Sequence, residues 1–264
     1  MVTIDREKCI GCGLCAKDCP AGKIAVKEGK AVYTPECIQC GHCVAVCPRA
    51  AVSIPEYDMD DVEEYDAETF RIDPEHFLHA VKFRRSIRSF RDRKIDRACM
   101  ERILQAAGRY TPTAKNSQSC RFIVLQDELD EFKDLLWDQV PELAERMKEK
   151  MPHYAMMFKF LQRRRKKEPK DDGLFFNTPA CILVAADNLL DGGLAAANIE
   201  NMAAAEGAGV LYSGYLTRII EACPRLKEWL GIQDTTLVCC MLAGYPAVTY
   251  KRTAPRKKAD INWR

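Results

Sequence analysis

Two blocks of cysteines near the start of the chain limit what this sequence can fold into more than any other feature. Eight of the fourteen cysteines lie between residues 9 and 47, and each block has the spacing C-x2-C-x2-C-x3-C-P. Such a block forms a tight loop that presents three thiolates together, and the two copies indicate an internal duplication. The blocks are Cys9, Cys12, Cys15 and Cys19 before Pro20, and Cys37, Cys40, Cys43 and Cys47 before Pro48.

This spacing is typical of ligands for iron–sulfur clusters, and residues 1–55 resemble bacterial-type two-cluster ferredoxins. Three cysteines of a block bind one cluster, and the fourth binds the other cluster. Zinc is the alternative, because paired C-x2-C also binds zinc, but zinc sites rarely need three equally spaced cysteines before a Cys-Pro. We therefore predict two [4Fe-4S] clusters, the first bound by Cys9, Cys12, Cys15 and Cys47, and the second by Cys37, Cys40, Cys43 and Cys19.

Composition divides the chain into a small and a large domain. The cysteine-rich domain is predicted to span residues 1–55. Residues 56–73 form a predicted acidic linker, because eight carboxylates and no basic residue lie between Glu56 and Glu68. Residues 74–264 then form the large domain, and 264 residues with 47% hydrophobic content suffice for two cores.

Charge and hydropathy exclude several partners. A net charge of +2 gives no whole-chain basic surface for nucleic acid. The longest apolar runs, such as residues 180–186, are far shorter than the roughly 20 residues that cross a bilayer. No apolar leader follows Met1, so we expect a cytoplasmic protein that binds neither nucleic acid nor membrane.

Helical and strand patterns alternate in the large domain, which indicates a mixed α/β or α+β fold. Pro141 and Pro152 are expected to interrupt the third helical stretch. The last helical stretch has small residues on all sides, which predicts burial all round. Helices are predicted at 73–83, 96–108, 128–167 and 194–208, and strands at 121–126, 180–186 and 236–244.

A second chemical constellation begins at Arg84. The six residues 84–89 hold three guanidinium groups and two hydroxyls, a density that suits a phosphate dianion. A solvated basic turn is the alternative. With Phe90, the segment resembles the RRSxRxF signature of the FMN-dependent nitroreductase family, and the likeness covers most of residues 77–258. Further landmarks of the likeness are residues 112–118, 206–209 and 244–246.

The resemblance implies an FMN-binding α+β domain with three layers, α-β-α. It also implies that an amide near Gly214 faces the reactive N5 of the flavin. The implied ligands are Arg84, Arg85, Ser86 and Arg88 for the phosphate and ribityl, Arg256 and Lys258 from the C-terminal tail for the phosphate, Asn116 and Gln118 for the polar side of the flavin, and the backbone of Leu211, Tyr212, Ser213 and Gly214 for the isoalloxazine.

One motif departs from the family pattern. The usual Q-P-W-x-F is replaced here by Gln118-Ser119-Cys120-Arg121-Phe122, which is expected to alter the pocket beside the flavin. Cys120 is a candidate redox residue for that reason, although a lone cysteine that begins a strand is more often a small buried hydrophobe. Cys99, Cys181, Cys223, Cys239 and Cys240 are also predicted to be packing residues.

Together the two resemblances imply an oxidoreductase that passes electrons from the clusters to FMN and on to a nitroaromatic or a quinone. The family implies a homodimer with FMN at the subunit interface. The donor is either a ferredoxin-type carrier or NAD(P)H, and the absence of a G-x-G-x-x-G motif argues only weakly against NAD(P)H. Two other classes stay open: an electron-transfer protein that turns over no small molecule, and a redox sensor, for which no DNA-reading helix is evident.

Overall fold

A computed structural model describes residues 1–168 and 172–264. The chain forms two compact units. The first unit consists of Met1–Ile72 together with Thr113–Ser117, and the second of Asp73–Pro112 and Gln118–Arg264. The short segment Thr113–Ser117 therefore packs in the first unit, although in sequence it lies inside the second. The domain division at residues 55 and 73 stays a prediction.

The first unit is built from two antiparallel strand pairs and short helices. Strand β1 pairs with β4, and β2 pairs with β3. Helices α1 and α2 each contain the third cysteine of a block, and each follows a left-handed glycine, Gly13 at φ 76° or Gly41 at φ 78°. The elements are β1 (Thr3–Ile4), α1 (Leu14–Lys17), β2 (Ile24–Lys27), β3 (Lys30–Tyr33), α2 (His42–Ala45), β4 (Val52–Ser53) and α3 (Ala67–Phe70), with a 3-10 turn at Met59–Asp61.

The second unit contains a four-stranded antiparallel sheet in the order β5-β6-β8-β7. The three strands predicted from sequence are present, the first ending one residue early, whereas β7 was not predicted. The strands are β5 (Arg121–Leu125), β6 (Ala180–Ala186), β7 (Gly209–Tyr212) and β8 (Thr236–Gly244).

Helices cover both faces of this sheet, as the three-layer prediction requires. Because side chains alternate along a strand, Cys181 and Leu183 of β6 face one core and Ile182 and Val184 face the other. The first core packs against α6, α7, α9 and α10, and the second against α5 and α8. The helices are α4 (Pro74–Phe83), α5 (Arg97–Arg109), α6 (Leu129–Arg146), α7 (Pro152–Lys167), α8 (Leu189–Ala205), α9 (Gly214–Glu221) and α10 (Pro224–Trp229).

Two helical predictions were wrong in detail. Pro141 lies inside α6 instead of interrupting it, whereas Pro152 does mark the start of a new helix. Helix α8 begins at Leu189, capped by Asn188, and is not buried on all sides, because Leu189 and Leu190 are 64% and 67% exposed. Among the described residues, none of the helices is long and apolar enough to span a bilayer.

Candidate functional site

The four thiols predicted to hold cluster one lie around one pocket in the first unit. Cys9, Cys12, Cys15 and Cys47 line it, so that Cys47 joins three cysteines of the other block. The pocket has a volume of about 350 Å³, including the part open to solvent. Across residues 1–168 and 172–264, no three His, Cys, Asp or Glu side chains are placed to hold a single metal ion.

Backbone amides donate to several of the cysteine sulfurs in the two blocks. Such hydrogen bonds stabilise negative charge on sulfur and are one of the ways a protein tunes an iron–sulfur cluster. The two cysteines before the prolines have the same hydrogen-bond pattern, because the sulfur of each accepts from the amide four residues later. The distances are 3.3 Å from Lys23 to Cys19, 3.3 Å from Ala51 to Cys47, 3.4 Å from Ala31 to Cys9 and 3.2 Å from Gln39 to Cys37.

The second group of thiols is crowded and partly buried. Burial, together with negative charge on Cys37 and Cys40, raises the pKa of Cys43 to about 11. Three thiolates so placed repel one another, and a bound metal supplies the positive charge that deprotonates coordinating thiols. The donor set therefore fits an iron–sulfur cluster.

Close backbone approach shapes the first cysteine loop. Gly11 has φ +66°, and a β carbon there would lie 2.0 Å from the carbonyl oxygen of Gly29. Only glycine fits this position, because the space is filled by backbone that cannot move aside.

The segment predicted to bind phosphate lies beside β7 in the second unit. We call residues 84–88 the arginine segment. Ile87 donates its N–H to the carbonyl of Val210 at 3.0 Å, and its buried side chain packs where a β carbon on Gly209 would lie, 2.4 Å away. The structure thus brings the arginine segment next to the strand that leads into residues 211–214, the predicted isoalloxazine contact.

An ion pair anchors the first arginine of this segment. Nη1 of Arg84 donates to Oε1 of Glu200 in α8 at 2.5 Å, and the glutamate side chain is only 12% exposed. Burial raises the pKa of Glu200, and Arg84 offsets part of that rise. Burial also raises the pKa of Tyr212, with the nearby Glu200 charge adding to the rise. Glu200 was not predicted from the sequence, where it is one of two carboxylates, with Asp191, in an alanine-rich helix.

Helix α9 begins at the predicted N5 contact. Ser213 caps it, since Oγ of Ser213 accepts from the N–H of Leu216 at 3.4 Å. The N–H of Ser213 itself donates to the carbonyl of Cys240 at 2.8 Å. The exposed Gly214 is therefore the first residue of the helix, at an end whose unpaired amides favour negative charge.

For the remaining predicted flavin contacts, the structure gives mainly their exposure to solvent. Within the arginine segment, Arg85 and Ser86 are half-buried and Arg88 is exposed, and in the tail Lys258 and Arg256 are exposed. Arg256 donates to the neighbouring carbonyl of Pro255 at 3.1 Å. Their contacts with FMN, and those of Gln118 and Leu211, stay predictions.

The side chain of Asn116 has acceptors within the first unit. Its amide donates to the carbonyl oxygens of Gln39 at 3.0 Å and Ile38 at 3.2 Å. These carbonyls lie in the loop between two predicted ligands of cluster two, Cys37 and Cys40. The flavin contact implied for Asn116 stays a prediction. In the structure the side-chain N–H groups of Asn116 donate to this loop.

Cys120 lies partly buried at the edge of the core formed with α5 and α8. Burial raises the pKa of its thiol, and the negative charges of Asp191 and Asp187 raise it further. Because the thiolate is the reactive form, this environment favours packing over redox chemistry.

Comparisons with known proteins agree with both units. Residues 81–245 match the model of the nitroreductase family, and residues 1–48 match the 4Fe-4S dicluster domain. Similar solved structures are FMN-bound nitroreductases of Desulfitobacterium hafniense DCB-2 (20% identity, 70% of this chain and 98% of that one, TM-score 0.54) and Bacteroides fragilis NCTC 9343 (18%, 70% and 98%, 0.54), and a BluB-like flavoprotein of Clostridium difficile 630 (18%, 72% and 96%, 0.50). The comparison with curated proteins gave no match.

The fold and the thiol-lined pocket define an α+β oxidoreductase with an iron–sulfur domain at its N-terminus. The matched family model spans more than half of the sequence, and the chain belongs to the nitroreductase family.

Proposed function

We propose that the protein passes electrons from two [4Fe-4S] clusters to FMN and on to an electron-poor organic acceptor such as a nitroaromatic or a quinone. One observation carries the proposal: the chain combines a pocket lined by Cys9, Cys12, Cys15 and Cys47 with an arginine segment beside β7, the strand that leads into α9. The first is a donor set for iron, and the second is suited to an anionic flavin phosphate.

When bound, the clusters carry electrons singly and FMN exchanges them singly or in pairs, which joins a one-electron donor to a two-electron reduction. Two of the similar solved structures carry FMN, which supports the same cofactor here. The residues of this chain position and stabilise these groups.

In the second unit, the arginine segment would bind the FMN phosphate and ribityl. Arg84 is oriented for this by Glu200, whose carboxylate holds one side of the guanidinium at 2.5 Å. The amide of Gly214, at the start of α9, would donate to the flavin and stabilise negative charge there. Ser213 keeps that helix end in place through its cap.

In the first unit, three cysteines of one block and the fourth cysteine of the other block would hold each cluster. The amides of Lys23 and Ala51 donate to the sulfurs of Cys19 and Cys47, which are the two cysteines proposed to bind the cluster of the other block. These hydrogen bonds lower the charge on sulfur and help to set each cluster's potential.

A homodimer with FMN at its interface completes the proposal. Helix α4 buries none of its side chains, and Phe77 and Val81 are about half exposed on it. Leu189 and Leu190 at the start of α8 are exposed as well. Large apolar side chains left exposed in one chain favour an obligate dimer here. The exposed tail with Arg256 would then close on the phosphate.

The donor is proposed to be a ferredoxin-type carrier that reduces the clusters, with NAD(P)H as the alternative. An anaerobic titration tests the whole proposal, with iron, sulfide and FMN quantified and absorption and EPR spectra recorded. We expect about eight irons and one FMN per chain. Electrons placed on the clusters by dithionite should then reach an added nitroaromatic or quinone.

Variants separate the two halves of the proposal. Arg84→Met should lower FMN content while the iron content is unchanged, and Cys12→Ser should do the reverse. If the wild-type protein binds no FMN, the flavoprotein proposal fails. If it binds both cofactors but reduces no small acceptor, the protein is an electron-transfer protein instead.

A further inference from the structure

The segment Thr113–Ser117 leaves the second unit and packs within the first. Its backbone is unusual, because Lys115 and Asn116 have φ of 54° and 55°, and Gln118 next to the segment has φ of 50°. Non-glycine residues rarely adopt the left-handed region, and Asn is among the few that tolerate it. Three such residues within four positions present the Asn116 side chain in a defined direction.

That side chain is directed at the loop of residues 37–40, which we call the cluster-two loop. Its amide donates to the carbonyl oxygens of Ile38 at 3.2 Å and Gln39 at 3.0 Å, and to the Tyr57 hydroxyl at 3.3 Å. Asn116 is half-buried there. A single side chain thus binds two consecutive carbonyls between Cys37 and Cys40.

One peptide group connects this contact to a cysteine sulfur. The carbonyl of Ile38 and the N–H of Gln39 belong to the same peptide, and that N–H donates to Sγ of Cys37 at 3.2 Å. The hydrogen bonds therefore run in series from Asn116 through the peptide to the sulfur. Serial hydrogen bonds polarise one another, so the amide strengthens the donor that reaches Cys37.

Comparison with the first cysteine loop shows what the amide adds. Gly11 and Gln39 occupy matching positions in the two blocks, and both are left-handed, with φ of 66° and 50°. Glycine adopts this conformation readily, whereas a residue with a β carbon is strained in it. The second loop therefore needs an outside contact to hold the same turn, and Asn116 supplies it.

We propose that Asn116 is a positioning residue for cluster two. Its amide holds the left-handed turn at Gln39 and aligns the N–H of Gln39 on the sulfur of Cys37. This inference rests on the proposed function, which assigns Cys37 to that cluster. A hydrogen bond to a ligand sulfur stabilises the more negative, reduced cluster, so Asn116 raises the potential of cluster two relative to a loop that lacks it.

Two variants remove the donors while keeping the backbone. Asn116→Gly tolerates the left-handed conformation and lacks the amide, and Asn116→Asp keeps the shape but presents only acceptors. Lys115→Gly is the matched control, because it places glycine at the neighbouring left-handed position and keeps the amide. Cys40→Ser, which changes a predicted ligand of cluster two alone, identifies that cluster's reduction step.

The measurement is an EPR-monitored potentiometric titration of the full-length protein under anaerobic conditions. We expect both Asn116 variants to shift the reduction of cluster two to more negative potential, with cluster one and Lys115→Gly unchanged. The expected shift is about threefold to tenfold in the reduction equilibrium, and tenfold corresponds to about 59 mV for one electron. Loss of about half the iron in both Asn116 variants, with Lys115→Gly keeping about eight, would also support the role.

Other outcomes overturn it. An unchanged cluster-two potential with full iron content, equal shifts of both clusters, or the same change in Lys115→Gly would each refute the positioning role. Weaker FMN binding in the Asn116 variants with unchanged potentials would instead assign the side chain to the flavin. Failure of the proposed function is recognised separately, because the wild-type protein itself would then lack about eight irons or FMN.

Discussion

Removing the charge of Arg84 should destabilise the second unit by an amount that depends on pH. Its guanidinium and the Glu200 carboxylate are 2.5 Å apart, with side chains 28% and 12% exposed. Exposed ion pairs contribute about 0–1 kcal/mol, whereas breaking a fully buried pair costs about 3–5 kcal/mol. This pair lies between those cases, so Arg84→Met should lower the free energy of unfolding by about 2 kcal/mol at pH 8.

The sign of the pH dependence follows from Glu200. Burial raises its pKa in the folded protein, and Arg84 holds that rise in check. Without the guanidinium the folded-state pKa rises further above the unfolded value of about 4.3. The folded variant then binds a proton more tightly than the unfolded chain, so its stability falls as pH rises through the raised pKa. The deficit should be large at pH 8 and small at pH 5.

Anaerobic urea denaturation at both pH values measures this, with tryptophan fluorescence as the signal. All three tryptophans, Trp137, Trp229 and Trp263, lie in the second unit, so the signal reports on that unit. In a double-mutant cycle with Glu200→Gln, the double variant should be more stable than Arg84→Met at pH 8, because no unpaired charge stays buried. An equal deficit at pH 5 and pH 8, or strict additivity of the two substitutions, would refute the reasoning.

Three further predictions use matched controls. Gly11→Ala should lose cluster one and about half the iron, because its β carbon would lie 2.0 Å from a backbone oxygen. Gly22→Ala is the control, since Gly22 is also left-handed but an added β carbon would have nothing within 4 Å, and this variant should keep its iron. Iron analysis distinguishes the two variants. Gly209→Ala should displace the arginine segment, because the added β carbon would lie 2.4 Å from a side-chain carbon of Ile87. The substitution should lower the free energy of unfolding by about 1–3 kcal/mol and reduce FMN retention, whereas Gly193→Ala should keep FMN. Flavin content after gel filtration is the test. Cys120→Ala should retain FMN and turnover within about twofold, because burial keeps the thiol protonated, and a loss of turnover with FMN bound would restore a redox role.

Long apolar segments were predictable because their pattern reflects burial directly. Strand β6 is buried along its whole length, and its continuous apolar run indicated its bounds without any knowledge of its neighbours. Proline was less informative, since Pro141 lies within α6 despite a cost of about 3 kcal/mol in a helix interior. The buried side chains of Leu136, Val140 and Leu143 offset that cost through packing that the local sequence does not reveal.

Candidate site residues could be proposed from the sequence where a motif is contiguous. The arginine segment and residues 211–214 were assigned separately, and the hydrogen bond from Ile87 to Val210 brings them together. Glu200 was missed because a glutamate on a helix gives no indication of a partner 116 residues away. The contacts of Asn116 were missed for the same reason, since its acceptors lie 77 and 78 residues earlier.

The two cysteine blocks illustrate why ligands are easier to predict than potentials. Their spacing is identical, so the sequence predicts two equivalent clusters. The sulfurs that begin the blocks nevertheless have different sets of donors, because Cys9 accepts from the amide of Ala31 in β3 as well as from Gly11 in its own loop, whereas Cys37 accepts from the amide of Gln39 in its own loop. Because hydrogen bonds to sulfur shift cluster potentials, two clusters with the same ligand spacing should differ in potential. The second donor is reinforced by Asn116, so that difference depends on a segment outside the cysteine blocks.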